Sequence, residues 1–209
     1  PQWYTVSNRS RAYVKKVTEK ISGEIFKNYK VDKLIRSEEN IRVMIGNEYV
    51  DYDQVVLASH ADESLSMIDK PTDQEKNILS KFNYVKNEAF LHTDDRLMPN
   101  KKRAWSSWNS ISNGNNTCIT YWLNRLQNLN TSKNYYLTLN PIININDSLI
   151  IKKINFTHPY LNSENTALQE NLHSIQGKKR TWFCGSYFGY GFHEDGLKSS
   201  IELVNNFKM

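Results

Sequence analysis

The residues best suited to chemistry lie near the end of the chain. Gly185, Gly189, Gly191 and Gly196 follow the apolar run Thr181-Trp182-Phe183-Cys184 and precede a helix-like segment. Glycine lacks a Cβ, so backbone at these points can pass close to a flat or anionic ligand, and positive φ costs little. The first N–H groups of a following helix are unpartnered and carry about half a positive charge. They stabilise an anion, or a carbonyl that gains negative charge. Neither GxxxxGK[ST] nor a GxGxxG after a strand is present, so a phosphate site is one reading and an irregular structural turn is another.

Histidine supplies the other candidates. His92 stands beside Asp94 and Asp95, where a carboxylate could fix the tautomer of an imidazole that titrates near neutral pH. A hydrogen-bonded histidine at a strand end is the plainer alternative. His60 is the second candidate for catalysis, through the family resemblance set out below, which places it beside a cofactor-facing segment. His158, His173 and His193 lack metal-ligand spacing, and Cys118 and Cys184 have no CxxC partner, so no metal is expected. Both cysteines read as small core residues. A Ser-His-Asp hydrolase lacks its GxSxG elbow.

The elements that must position these groups follow from periodicity. Tyr13, Val14, Val17 and Ile21 form one face of a helix starting near Ser10 and stopped by Gly23. Strands are expected over 33–35, 41–45 and 54–57. The last of them is uninterrupted, as a strand buried on both faces would be. Ser59 is the expected N-cap of a helix over 61–68, and Thr72 with Glu75 forms the capping box of another. Positions 88–151 favour an antiparallel sheet with one aromatic face. A polar helix over 164–175, a strand over 181–184 and a final helix over 197–206, with Leu197, Ile201 and Val204 on one face, complete the chain. Trp105, Trp108, Tyr121 and Trp122 read either as core or as the lining of an apolar substrate tunnel.

With 209 residues, 39% of them hydrophobic, the chain is long and apolar enough to fold around a core. Its longest apolar runs are a few residues, far short of the ~20 that cross a bilayer, so no membrane span is expected. No export signal is visible, which makes the cytoplasm the expected compartment. The net charge of +5 is scattered, and Lys101-Lys102-Arg103 and Lys178-Lys179-Arg180 read as solvated loop charge, so nucleic acid is not an expected partner.

Ordered segments carry a family resemblance. They are Pro1-Gln2-Trp3 with Tyr13-Val14, then Tyr52-Asp53-Gln54-Val55-Val56-Leu57-Ala58-Ser59-His60-Ala61-Asp62, then Leu91-His92-Thr93-Asp94, Met98-Pro99 and Ala104-Trp105-Ser106-Ser107-Trp108-Asn109. The last is Trp182-Phe183-Cys184-Gly185-Ser186-Tyr187 with Gly189-Tyr190-Gly191-Phe192-His193-Glu194-Asp195-Gly196-Leu197. Together they resemble the C-terminal portion of FAD-dependent amine oxidase-like proteins, most closely their bacterial NAD/FAD-binding branch. Relatives have a glycine pair where this chain has Asn8-Arg9.

The resemblance implies a mixed α/β chain: the C-terminal part of an FAD-binding, Rossmann-like domain interleaved with a substrate domain on a mixed or antiparallel sheet. Its expected parts are a boundary helix over 1–22, FAD-domain strands and a helix over 23–70, the substrate domain over 71–160, and a return to the FAD domain over 161–209. The implied cofactor is FAD, with Val31 at adenine, Ala58 and Ser59 on a strand passing the cofactor, Gly185 and Ser186 at the pyrophosphate and ribityl chain, and Gly196 and Leu197 at a helix start facing the flavin. The implied reaction is hydride transfer from a small, apolar substrate to flavin N5. The N-terminal Gly-rich βαβ unit is missing, so the implied partner is the N-terminal half, and this portion alone is expected to be inactive. The alternative from another class is a non-catalytic, basic, aromatic-rich module that binds nucleic acid or a protein.

Overall fold

The computed structural model describes residues 4–114 and 116–207. Pro1, Gln2 and Trp3, the first family-like segment, lie outside the described residues. The elements run α1 (Arg9–Thr18), β1 (Lys33–Arg36), β2 (Ile41–Ile45), β3 (Glu48–Tyr52), β4 (Val55–Leu57), α2 (Ala61–Met67), α3 (Asp73–Leu79) and β5 (Asn83–His92). They continue with β6 (Trp108–Ser112), β7 (Thr117–Trp122), α4 (Leu123–Leu126), β8 (Tyr136–Leu139), β9 (Ile150–Tyr160), α5 (Ser163–Leu168), β10 (Thr181–Phe183) and α6 (His193–Asn206). The chain is a mixed α/β fold divided into two compact units, Pro1–Ile25 with Lys86–Thr157, and Phe26–Val85 with His158–Met209.

In the unit holding the glycine-rich loop, β1, β2 and β3 form an antiparallel meander, with Gly46 at φ 60° in the tight turn before β3. β4 and β10 form a parallel pair, Val55 opposite Thr181 and Leu57 opposite Phe183. Leu34, Ile41, Leu57, Leu79, Leu172, Ile175, Phe183 and Tyr187 close the core between these sheets and α2 and α3. Each such side chain contributes about 1.5–3 kcal/mol by leaving water. β4 is not buried on both faces, because Val56 is 44% exposed. The polar span expected as one helix is α5 followed by a tighter 3-10 stretch, Gln169–Ile175.

The Thr72–Glu75 capping box is present, and Glu75 does more than cap. Its Oε2 accepts the Thr72 amide at 2.7 Å, while its two oxygens take the Arg36 guanidinium at 2.6 and 2.9 Å. Both side chains are almost wholly buried, at 4% and 1% exposure. Burial alone would raise the Glu75 carboxyl; Arg36 and Thr72 overcome that and hold it below its usual range.

The other unit holds a five-stranded sheet in the order β6-β7-β8-β5-β9, antiparallel from β6 through β7 and β8 to β5. Trp105 belongs to its core with Met98 and Tyr136, and its indole N–H donates to the Pro99 carbonyl at 2.8 Å. Trp108 is instead exposed on β6, edge-on to Tyr121. The expected buried stripe of α1 is not buried: Tyr13, Val14 and Val17 are all exposed. Asn8 and Arg9 hold φ of 62° and 66°, the left-handed conformation a glycine pair adopts without cost.

Candidate functional site

The parallel pair delivers its two carboxyl ends to one place. The Cys184 amide donates to the Leu57 carbonyl at 3.1 Å, carrying the ladder one residue past β10. Gly185-Ser186 therefore leaves the sheet beside Ala58-Ser59. Glycine is required at 185: φ is 154°, and a Cβ there would stand 2.8 Å from the Tyr187 ring and 3.7 Å from the Ser59 carbonyl. The Ser199 hydroxyl accepts the Gly185 amide at 3.0 Å and donates to the Gly196 carbonyl at 2.8 Å, tying the loop to α6.

The last helix starts at His193 rather than near Leu197. The Asp195 carboxylate causes the difference: it accepts the Tyr190 and Phe192 amides at 3.0 and 2.9 Å and winds the chain into its first turn early. A Cβ on Gly189 would lie 2.5 Å from that carboxylate. Gly196 thus sits inside the helix, its amide bonded to the Phe192 carbonyl at 3.2 Å. The amides of this turn that lack a partner among the described residues belong to His193 and Glu194. Facing Gly196 is Ser186, whose amide nitrogen would be 3.7 Å from a Cβ at 196. Within the described residues, neither the amide nor the hydroxyl of Ser186 donates a hydrogen bond.

The remaining expected residues divide. Ala58 is exposed, and the Ser59 hydroxyl bonds the buried Ser64 hydroxyl at 2.8 Å. His60, not Ser59, caps α2; its ring stacks on Tyr84 at 4.2 Å, while the Tyr84 hydroxyl accepts the Ala61 amide at 2.8 Å. Burial pushes the Tyr84 phenol up to about 12. Val31 lies elsewhere in the unit, in a groove of about 320 Å³ with Phe26, Tyr29, Val43, Ile45 and Tyr49. Leu197 is exposed. Cavities of about 400 and 340 Å³ flank α6 on its Ser199 and Glu202 side. Neither is lined by Gly185, Ser186 or Gly196.

Sequence reasoning gave no sign of Tyr187 as a special residue. It is buried against Phe82 and Phe188, its hydroxyl has no partner among the described residues, and burial raises that phenol far above its usual range. A buried hydroxyl without a partner carries a desolvation cost. Tyr187→Phe is therefore expected to raise stability by about 1 kcal/mol, or a few degrees in Tm for a chain this size. A drop in the calorimetric midpoint would mean that the hydroxyl is bonded in solution.

His92 is fully buried in the other unit, and the protein uses both its ring nitrogens. Nδ1 accepts the Asp94 amide at 3.1 Å, which places the proton on Nε2; Nε2 meets the Thr138 hydroxyl at 2.7 Å, and Thr138 meets Thr120 at 2.8 Å. Asp94 does not orient the ring with its carboxylate. Arg96 holds that carboxylate through its Nε at 2.9 Å and lowers it to about 2. The geometry is that of a histidine tying strands β5, β8 and β7 together.

Burial lowers the His92 pKa, with Asp94 opposing. The neutral ring contributes stability above the unfolded value near 6.5, and this is lost as the pH falls toward the lower folded value. NMR titration should place the His92 midpoint below 6.5, with the loss of stability on acidification following it. A His92 midpoint at or above 6.5 would contradict the buried chain of hydrogen bonds.

Among the described residues no group of three or more His, Cys, Asp or Glu side chains could hold a metal ion, and no helix is long and apolar enough to cross a membrane. No protein-family model and no curated sequence matches the chain. Solved structures do. The fold is similar to that of a fatty acid isomerase from P. acnes that produces conjugated linoleic acid (CLA), at 13% identity and a TM-score of 0.70, covering 96% of this chain and 52% of that one. Putrescine oxidase bound to putrescine matches at 9% identity and a TM-score of 0.59, over 96% and 53%. Cyclohexylamine oxidase from Brevibacterium oxydans matches at 7% identity and a TM-score of 0.51, over 85% and 48%. The chain spans about half the length of these proteins.

Proposed function

We propose that this chain is one half of an FAD-dependent oxidoreductase of the amine oxidase-like kind, completed by a half that carries the dinucleotide-binding motif. One observation carries the reading. At the carboxyl ends of a parallel strand pair, where ligands of α/β folds bind, a strained glycine and an uncommitted Ser186 face the opening turn of a helix with two unpartnered amides. Likeness of fold to putrescine oxidase and cyclohexylamine oxidase supports it.

The residues fit the group. Gly196 keeps a side chain out of the space beside Ser186, which is what a closely held cofactor needs. Ser186 offers an amide and a hydroxyl, and His193 and Glu194 offer amides aligned with the helix dipole. Asp195 already sets negative charge in that turn, so the helix mouth suits a ring carbonyl better than a phosphate. Ala58 and Ser59 border the same space from β4, and Val31 lines the groove that would take adenine. When bound, FAD supplies the acceptor for a hydride from a substrate carbon. His60 is held in its stack on Tyr84 at the start of α2, whereas His92 has no nitrogen left for a substrate. The base and the substrate lie outside what this half specifies, and the half alone is expected to be inactive.

The test is absorbance. The chain should retain flavin when produced together with its complementary half, and not on its own. Salt-dependent binding of an oligonucleotide, with no flavin under either condition, would favour the non-catalytic module instead.

A further inference from the structure

The unit that holds the five-stranded sheet has an apolar hollow of its own. It measures about 360 Å³, and Leu91, Leu123, Gln127, Leu129 and Tyr135 line it together with Arg9. Leu91 alternates with His92 along β5, so it stands on the opposite face of the sheet from the buried histidine, in line with Leu137 and Tyr121. That face is not closed over, since all three of these side chains are only half-buried.

The loop that walls the hollow is held by its own hydrogen bonds. The Leu123 amide donates to the Tyr135 carbonyl at 2.9 Å, and the Leu129 amide to the Asn124 carbonyl at 2.9 Å. The Asn124 carboxamide closes the turn, accepting the Tyr135 amide and donating to the Lys133 carbonyl, each at 2.8 Å. A wall already in place loses little entropy when it binds. Arg9 brings the charge. Among the described residues its guanidinium has neither a hydrogen bond nor an ion pair, and no acidic side chain lines the hollow. Arg9 holds a left-handed φ of 66°, a conformation that costs an arginine energy and that recurs at residues which clamp ligands.

We propose that this hollow binds a carboxylic acid with an apolar body, the body against Leu91, Leu123 and Leu129 and the carboxylate on the Arg9 guanidinium. Surface and charge argue for that class together. A bare hydrocarbon leaves Arg9 unanswered, an amine is repelled by it, and a guanidinium offers a carboxylate two parallel N–H donors. The volume lies at the small end of ligand cavities and suits a chain of about ten carbons or one aromatic ring. Arg9 is exposed, so the leucines supply most of the affinity and the arginine selects the head group. Neither flavin nor a second half is needed for this binding.

Calorimetric titration of the chain at neutral pH with decanoate and with phenylpropionate, an aliphatic and an aromatic acid, tests it. At least one should saturate at a single site. That acid should bind about tenfold or more tightly than its amine, decylamine or phenylpropylamine, which reverses the charge, and than butyrate, which keeps the head group and lacks the body. Arg9→Gln should weaken it about fivefold at an unchanged Tm. Arg9→Gly should weaken it as much; glycine holds a φ of 66° without strain, so loss of fold does not explain the effect. Lys152→Gln, an equal loss of charge at an exposed position of β9, should leave binding unchanged. Three results overturn the proposal: no saturable binding of either acid, an amine or butyrate that binds as tightly as the acid, or both Arg9 variants binding as the parent does. Flavin retention is read in a separate experiment and can fail without touching this one.

Discussion

Glu75→Ala should lower the unfolding free energy of the chain by about 3–5 kcal/mol, because it strands the Arg36 guanidinium in a site only 4% exposed. The same substitution removes one half of the capping box of α3, since the Thr72 amide loses its acceptor while the amide of residue 75 keeps the Thr72 hydroxyl. Charge burial, not charge attraction, sets the size of the effect. The double variant Arg36→Met/Glu75→Leu should therefore recover most of the loss, as apolar replacement of a buried pair is often neutral or better. Urea unfolding monitored by tryptophan fluorescence reads both variants. A cost below about 1 kcal/mol for Glu75→Ala would mean that water reaches the pair, as at exposed ion pairs.

Gly196→Val should leave the fold intact and reduce flavin occupancy of the assembled protein about tenfold or more. The backbone at 196 is helical, and its Cβ position meets the Ser186 nitrogen at an ordinary 3.7 Å, so the protein has room for a side chain. Valine is also a better helix former than glycine by a few tenths of a kcal/mol. Its branch occupies the space in front of the Ser186 amide, which is the space assigned to the cofactor. Gly185→Val separates the two effects. It drives a side chain into the Tyr187 ring at 2.8 Å and forces a φ that branched residues rarely hold, so it should lose fold and flavin together. Flavin content of Gly196→Val equal to the parent's, at an unchanged Tm, would remove Ser186 and Gly196 from the site.

The sequence was most readable where structure is local. The Thr72–Glu75 box, strands β1 and β2 of the meander and the glycine turn after β10 are each determined within a few residues, and each is where its pattern puts it. β3 was missed because Glu48–Tyr52 is exposed along its whole length and has no buried alternation to read. The start of α6 was misread because its cap works backward: Asp195 reaches to amides that precede it. The stripe of Leu197, Ile201 and Val204 was legible as a face, but periodicity names no partner, and the face toward the sheet is the one with Ser199 and Leu203.

Long-range pairing set the other limits. Arg36 and Glu75 are far apart in the sequence, and nothing local in either segment announces the other. His92 beside Asp94 suggested an oriented pair because spacing could not show that Arg96 would claim the carboxylate and Thr138 the ring. Ala58 and Ser59 are far from Gly185 and Ser186 in the sequence, and they come together because two parallel strands end there.

Amide hydrogen exchange in the assembled protein, with and without flavin, tests the site most directly. Cofactor binding should slow exchange at Ser186, His193 and Glu194, whose amides have no partner among the described residues, by about tenfold or more, and leave the buried strand amides of β7 and β8 unchanged. Flavin bound with full occupancy, while those three amides exchange as freely as before, would contradict the assignment of this loop and helix mouth to the cofactor.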